Sequence, residues 1–120
     1  MDDVELTLPA PPSANLMTRF VRGRGNVAYT SPEYRKWLAA ASLQVMATRR
    51  GRVFSTPVKV LVALRKPHPM ADLDNFTIAQ TFDALQKGGL LTNDRSIHGF
   101  TAKWANVGHD MMSVVVSHLD

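Results

Sequence analysis

Residues 57–94, PVKVLVALRKPHPMADLDNFTIAQTFDALQKGGLLTND, decide how this chain folds. Pro57 to Leu64 is rich in valine, has the length of a strand and is almost continuously apolar, as an interior strand is. Arg65-Lys66-Pro67-His68-Pro69 follows as a stiff polar loop. Asp74 can cap a helix that starts at Asn75, with Phe76, Ile78, Ala79, Phe82 and Leu85 on its apolar face. Lys87-Gly88-Gly89 ends that helix. Leu90 to Asp94 is a short extended piece. A strand, a loop, a helix and a return to extended chain within one stretch point to mixed α and β structure.

Outward from this stretch the pattern continues. Val4 to Leu8, V-E-L-T-L, alternates like a half-buried strand, and Pro9, Pro11 and Pro12 stop it. Residues 19–29 carry Gly23, Gly25 and Asn26 between short apolar pairs, which suggests a hairpin or an irregular flap. The G-x-G there lacks a preceding strand and a following helix, so it is a poor dinucleotide loop. Thr30 or Ser31 can cap a helix with Pro32 at its first position and Glu33 in its first turn. Tyr34, Leu38, Ala41, Val45 and Met46 recur at helical spacing, and the helix runs to about Ala47. Arg49-Arg50-Gly51-Arg52 closes it with positive charge, as the helix dipole favours. Ile97 to Val107 and Met111 to His118 read as two strands with a turn at residues 106–110. The expected fold class is α+β: one small domain over residues 1–120, with a mixed sheet of four to five strands and two main helices.

Composition limits the function. A chain of 120 residues, 45% apolar, makes one ordinary domain with a core. No apolar run approaches the roughly 20 residues of a membrane span. The acidic start, Met1-Asp2-Asp3, is unlike a secretory signal. With no cysteine there are no disulfides, thiolate metal sites or thiol nucleophile, which fits a cytoplasmic protein. His68, His98, His109 and His118 have no zinc-binding spacing, and no G-x-S-x-G or Walker loop occurs. The pI is near 9.9. Between Ser13 and Lys66 lie eleven of the fourteen Lys and Arg, against one acid, Glu33. A field of one sign attracts polyanions, so nucleic acid is the expected partner.

Against that field, the aspartates of the opening stretch need a reason. Asp72 and Asp74 are two residues apart; in an extended segment both point the same way and can meet one hard cation. Asp94 lies beyond the helix and could return to the same point. Magnesium needs few protein oxygens and keeps several waters, and manganese also accepts such ligands. The plainer reading makes Asp74 a helix cap and Asp94 part of the turn 93–96. Asp72 and Asp94 border apolar segments, where a charge is costly without a role. Asp83 has Lys87 four residues on, so an ordinary helix ion pair explains it.

These residues together resemble the RusA family of Holliday junction resolvases, small endodeoxyribonucleases of bacteria and prophages. The likeness rests on Leu8-Pro9, Pro11-Pro12-Ser13 and Asn15, then Tyr34-Arg35, then Asp72-Leu73-Asp74-Asn75. Phe82-Asp83-Ala84-Leu85, Lys87, Gly89-Leu90 and Asn93-Asp94 complete it in order along nearly the whole chain. The resemblance implies a homodimer whose two magnesium-dependent sites nick opposed strands of a four-way DNA junction. It puts the catalytic and metal-binding carboxylates at Asp72, Asp74 and Asp94, with Asn75, Asn93 and Asp83 supporting. It gives DNA contact to the basic segment, with Asn15, Arg19, Arg22, Arg24, Arg65 and Lys66 as candidates, and to Lys103. The chain departs from the family where a lysine usually follows in D-N-x-x-K: Ile78 stands there, or Ala79 in a shifted alignment. Asn93 also replaces the first residue of the late acidic pair, and Asp74 to Asp83 is one residue longer than expected. The alternatives are a junction-binding protein without chemistry, or a basic nucleic-acid-binding module whose aspartates are caps and turns.

Overall fold

The computed structural model describes residues 3–14, 18–21 and 27–119, and of residues 18–21 and 27–30 only the backbone. The elements in chain order are β1 (Val4–Pro9), β2 (Thr18–Val21), β3 (Val27–Thr30), α1 (Pro32–Arg49), β4 (Val58–Leu64), α2 (Ile78–Lys87), β5 (Ile97–Trp104) and β6 (Met111–His118). Two short 3-10 turns, Leu73–Phe76 and Asp94–Ser96, precede α2 and β5. The chain is α+β, with a mixed four-stranded sheet in the order β1-β6-β4-β5 and a separate antiparallel ribbon of β2 and β3.

β4 is interior, as its unbroken valine run implies. It pairs antiparallel with β6 and parallel with β5, while β6 also pairs antiparallel with β1. The expected turn at residues 106–110 exists, but it does not make a hairpin, because β4 lies between β5 and β6. The parallel pair β4–β5 is joined through α2, the long crossover that parallel neighbours require.

Alternation along the strands gives the sheet two different faces. Val4, Leu6 and Leu8 of β1, Val58, Val60, Val62 and Leu64 of β4, and Met112, Val114 and Val116 of β6 are buried in one core. Tyr34, Trp37, Ala41 and Val45 of α1 and Ala84 and Leu85 of α2 cover that face. The opposite face carries Glu5, Thr7, Lys59, Leu61, Thr101 and Lys103, all exposed.

α1 begins as its sequence indicates. Ser31 caps it, its hydroxyl accepting from the Tyr34 N–H at 3.3 Å, and Pro32 takes the first position. The helix runs two residues past the expected Ala47, to Arg49, and ends on Arg50 and Gly51 with positive φ of 49° and 79°. Arg49 closes the helix and also reaches α2, its Nε donating to the Gly88 carbonyl at 2.9 Å. The helices meet closely here because Gly88 has no side chain: a Cβ would lie 2.4 Å from the Val45 Cβ. Trp37 Nε1 donates to the Pro9 carbonyl at 2.8 Å and ties α1 to the end of β1.

The expected helix from Asn75 is two pieces. Residues 73–76 form a 3-10 turn, the backbone breaks at Thr77 (φ −125°, ψ −48°), and α2 starts at Ile78. The α-helix thus starts three residues later than the sequence suggests. Asp74 therefore lies inside the turn and does not cap a helix. Asp83 likewise takes a different partner from the one its spacing suggests. The Tyr34 hydroxyl on α1 donates to its carboxylate, in place of an ion pair with Lys87.

Candidate active site

The loop after β4 is held at its root by Arg65. Its guanidinium donates to the Val107 carbonyl at 2.8 Å and to Asn106 Oδ1, and meets His109 Nε2 at 3.1 Å. This side chain, a candidate for DNA phosphate, also organises the connection between β5 and β6. The loop turns at His68, whose carbonyl accepts from the Ala71 N–H at 3.1 Å, and buries Ala71. Asp72 is extended (φ −94°, ψ 132°) and leads into the 3-10 turn that holds Asp74.

Asp72 and Asp74 are brought together. Both line one recess of about 390 Å³, with Leu73, Thr77, Ile78, Phe100 and Ala102. Asp72 also borders a second recess of about 140 Å³, lined by Ser13, His68, Met70, Ala71, Asn75 and Phe76. Both carboxylates are exposed. Neither takes part in a cap or an ion pair among the described residues. The turn at Asp72 and the start of α2 at Thr77 have no side-chain cap bond, and Thr77 Oγ1 donates to the Leu73 carbonyl at 2.9 Å. Two unpartnered carboxylates in an open recess match the ligand chemistry of a hard divalent cation that retains waters. Among the described residues no cationic side chain lines this recess. Ile78, one of the two residues expected where the family carries a lysine, is 43% exposed at the recess wall.

Asp94 is not part of this group in one chain. It opens the 3-10 turn at the amino-terminal end of β5, where Ile97 pairs with Val58 at the start of β4. Asp72 and Asp74 follow the other end of β4 and lie against Phe100 and Ala102. Among the described residues no three His, Asp or Glu groups gather closely enough to hold a metal. Asn93 caps the turn, its Oδ1 accepting from the Arg95 N–H at 2.7 Å, which leaves the Asp94 carboxylate exposed.

The remaining candidates are scattered. Asn75 follows the pair directly; its N–H donates to the Asp72 carbonyl at 3.2 Å and its carbonyl accepts from Gln80 Nε2 at 2.7 Å. Lys66 is exposed in the loop. Lys103 is exposed on β5 but alternates with Ala102, so it belongs to the sheet face away from the recess. Asn15, Arg22 and Arg24 lie outside the described residues, as does the side chain of Arg19. Asp83 lines neither recess and is bonded by the Tyr34 hydroxyl. Burial holds the Tyr34 hydroxyl far above its usual pKa, and the hydrogen bond to Asp83 and that group's charge add to the rise. Sequence reasoning did not single out Gln80, whose buried amide joins the aspartate turn to the segment after β1. A glutamine on an otherwise apolar helix face was the available signal.

Residues 9–117 match the family model described as Endodeoxyribonuclease RusA. The chain is 34% identical over 98 residues to the crossover junction endodeoxyribonuclease RusA of Escherichia coli strain K12, covering 81% of this chain and 78% of that protein. It is 32% identical, over the same shares, to the corresponding protein of Enterobacteria phage 82.

Proposed function

This chain belongs to the RusA endodeoxyribonuclease family, and on that premise we propose that it is a magnesium-dependent endonuclease that resolves four-way DNA junctions. One observation carries the reading: Asp72 and Asp74 stand free in a single recess, although both had ordinary structural work available to them. Two neighbouring carboxylates without a protein partner are the oxygen donors that a hard divalent cation takes. The basic chain supplies the attraction that brings an anionic backbone to this acidic spot.

Asp72 and Asp74 would hold the cation, with magnesium preferred and manganese accepted. When bound, the ion would stabilise charge on the phosphodiester and lower the pKa of a water. The chain's own residues fix where this happens. Thr77 and the Asn75 N–H hold the turn that carries Asp74. Leu73, Phe100 and Ala102 form an apolar wall against which phosphate charge is poorly solvated by bulk water. Asp94 enters through a homodimer: in one chain it lies beyond the far end of α2, so a second copy related by a two-fold axis is the source of a third carboxylate. Paired sites would also suit paired nicks.

Cleavage of a synthetic four-way junction, against linear duplex and with and without magnesium, tests the reading. Symmetric metal-dependent nicks, abolished by Asp72→Asn with junction binding intact, are expected. A strictly monomeric protein at micromolar concentration, or nicking unaffected by Asp72→Asn, would refute it. A second reading is favoured by one observation: apolar Ile78 occupies the recess wall where a cation would assist. Under that reading the protein binds junctions tightly and leaves them uncut.

A further inference from the structure

Gln80 is fully buried on the first turn of α2, and its amide is committed in two directions. Nε2 donates to the Asn75 carbonyl at 2.7 Å and to the Pro12 carbonyl at 2.9 Å. Only an NH₂ group can serve two carbonyl acceptors, so the orientation of the amide is fixed; the flipped amide would set oxygen against oxygen. Oε1 is buried and has no partner among the described residues. A buried glutamine in this state is costly unless the contacts it does make are needed.

Those contacts fall on the one irregular joint beside the aspartates. The 3-10 turn Leu73–Phe76 and α2 do not form one continuous helix; they meet at Thr77. Two buried side chains close this joint. Thr77 bonds the Leu73 carbonyl from below, and Gln80 bonds the Asn75 carbonyl from the helix side. Through Pro12 the same amide also fixes the segment whose next residue, Ser13, faces Asp72 across the smaller recess. Asp74 rides on the turn and Asp72 just precedes it, so the separation of the two carboxylates depends on this joint.

We propose that Gln80 is the positioning residue of the carboxylate pair, setting the geometry in which Asp72 and Asp74 meet a divalent cation. The functional part rests on the metal reading above; the clamp on residues 72–77 stands on the geometry alone. Groups that orient ligands from behind typically contribute about 10–100-fold in metal affinity.

The test compares the wild type with Gln80→Met, which keeps length but lacks the amide, and Gln80→Asn, whose amide is one methylene too short to reach both carbonyls. Either variant suffices if the other does not fold. Val114→Ala, a core change in β6, controls for lost stability alone. Amide hydrogen exchange over residues 70–77 is expected to accelerate about tenfold in the Gln80 variants, with residues 58–64 unchanged. Manganese affinity, followed by the resonance of the free ion, is expected to fall about tenfold in them and to stay unchanged in Val114→Ala. Unaltered exchange over residues 70–77 would overturn the clamp whatever the metal result. Faster exchange with unchanged manganese affinity would overturn the positioning role and leave the metal reading standing. A wild type that binds no manganese would overturn both the metal reading and the positioning role, and exchange would then decide the clamp alone.

Discussion

Substituting Gly88 by alanine is expected to force the two helices apart. A Cβ at this position would lie 2.4 Å from Val45 Cβ, 2.5 Å from Val45 Cγ1 and 3.0 Å from the Ala84 carbonyl oxygen. Carbon atoms rest at about 3.5–4.0 Å, so the shortfall is roughly 1 Å or more. Rotating Val45 gives no escape, because its Cβ is itself one of the clashing atoms and its χ1 is restricted in a helix. Val45 is fully buried, and nothing yields around it at low cost. Overpacking of this kind costs about 1–3 kcal/mol. The lower chain entropy of alanine in the unfolded state returns about 0.4–1 kcal/mol. Part of the Arg49 bond to the Gly88 carbonyl is also lost as the helix end shifts. The net expectation is a loss of about 2 kcal/mol, seen as a lower urea midpoint by circular dichroism with the slope unchanged. The cause is checked by a cycle with Val45→Gly, which removes every clashing atom of that side chain. The double variant should be more stable than the sum of the single effects by at least about 1 kcal/mol. A Gly88→Ala protein within about 0.5 kcal/mol of the wild type, or a cycle with no coupling, would refute the close packing of α1 on α2.

Tyr34→Phe tests the buried hydroxyl. Its pKa is raised in the folded chain, so its contribution is fully present below the unfolded value near 10 and is lost as pH rises above it. The stability difference between wild type and variant should be flat below about pH 10 and then shrink by about 1.4 kcal/mol per pH unit; parallel curves from pH 9 to 11 would contradict this. Ile78→Lys places an ammonium at the recess of Asp72 and Asp74 with little effect on folding, since Ile78 is partly exposed. Junction cleavage should rise on the order of tenfold or more, and an unchanged rate would show that charge at this position does not limit the chemistry. Junction affinity should fall linearly with the logarithm of salt, by about 0.9 for each phosphate neutralised; a flat response would remove nucleic acid as the partner.

The parts of the fold legible in the sequence were those set by local pattern. Ser31-Pro32 announced the start of α1, the valine run of β4 announced an interior strand, and the alternation of β1 gave its buried face. The order of the strands was not legible. Nothing local distinguishes a turn at residues 106–110 that joins neighbours from one that passes over β4, because the pairing is decided by residues far away in sequence. The start of α2 was misplaced for a related reason. Asp74 has good capping chemistry, but the buried Thr77 and Gln80 make the bonds that define the joint. The aspartate pair was legible because two carboxylates with one residue between them share a neighbourhood in almost any backbone. Asp94 was not legible in the same way: it is separated from the pair by a whole helix, and among the described residues no three such groups gather. Arg65 was legible only as a charge: its three partners on residues 106–109 were not visible in the sequence.

The sheet order has a consequence in time. β6 is the only link in the sheet between β1 and the pair β4–β5, and it aligns Val4 with Val116. While the chain is being synthesised, at about 5–20 residues per second, β1 waits without a partner until β6 has emerged. The aspartate loop, hung from β4 and braced through Pro12 on the segment after β1, gains the full sheet behind it only then. A ribosome that stalls before residue 111 would leave a chain with its carboxylates made but the sheet behind them open. Any activity that depends on that sheet therefore begins only after the strand that closes it is in place.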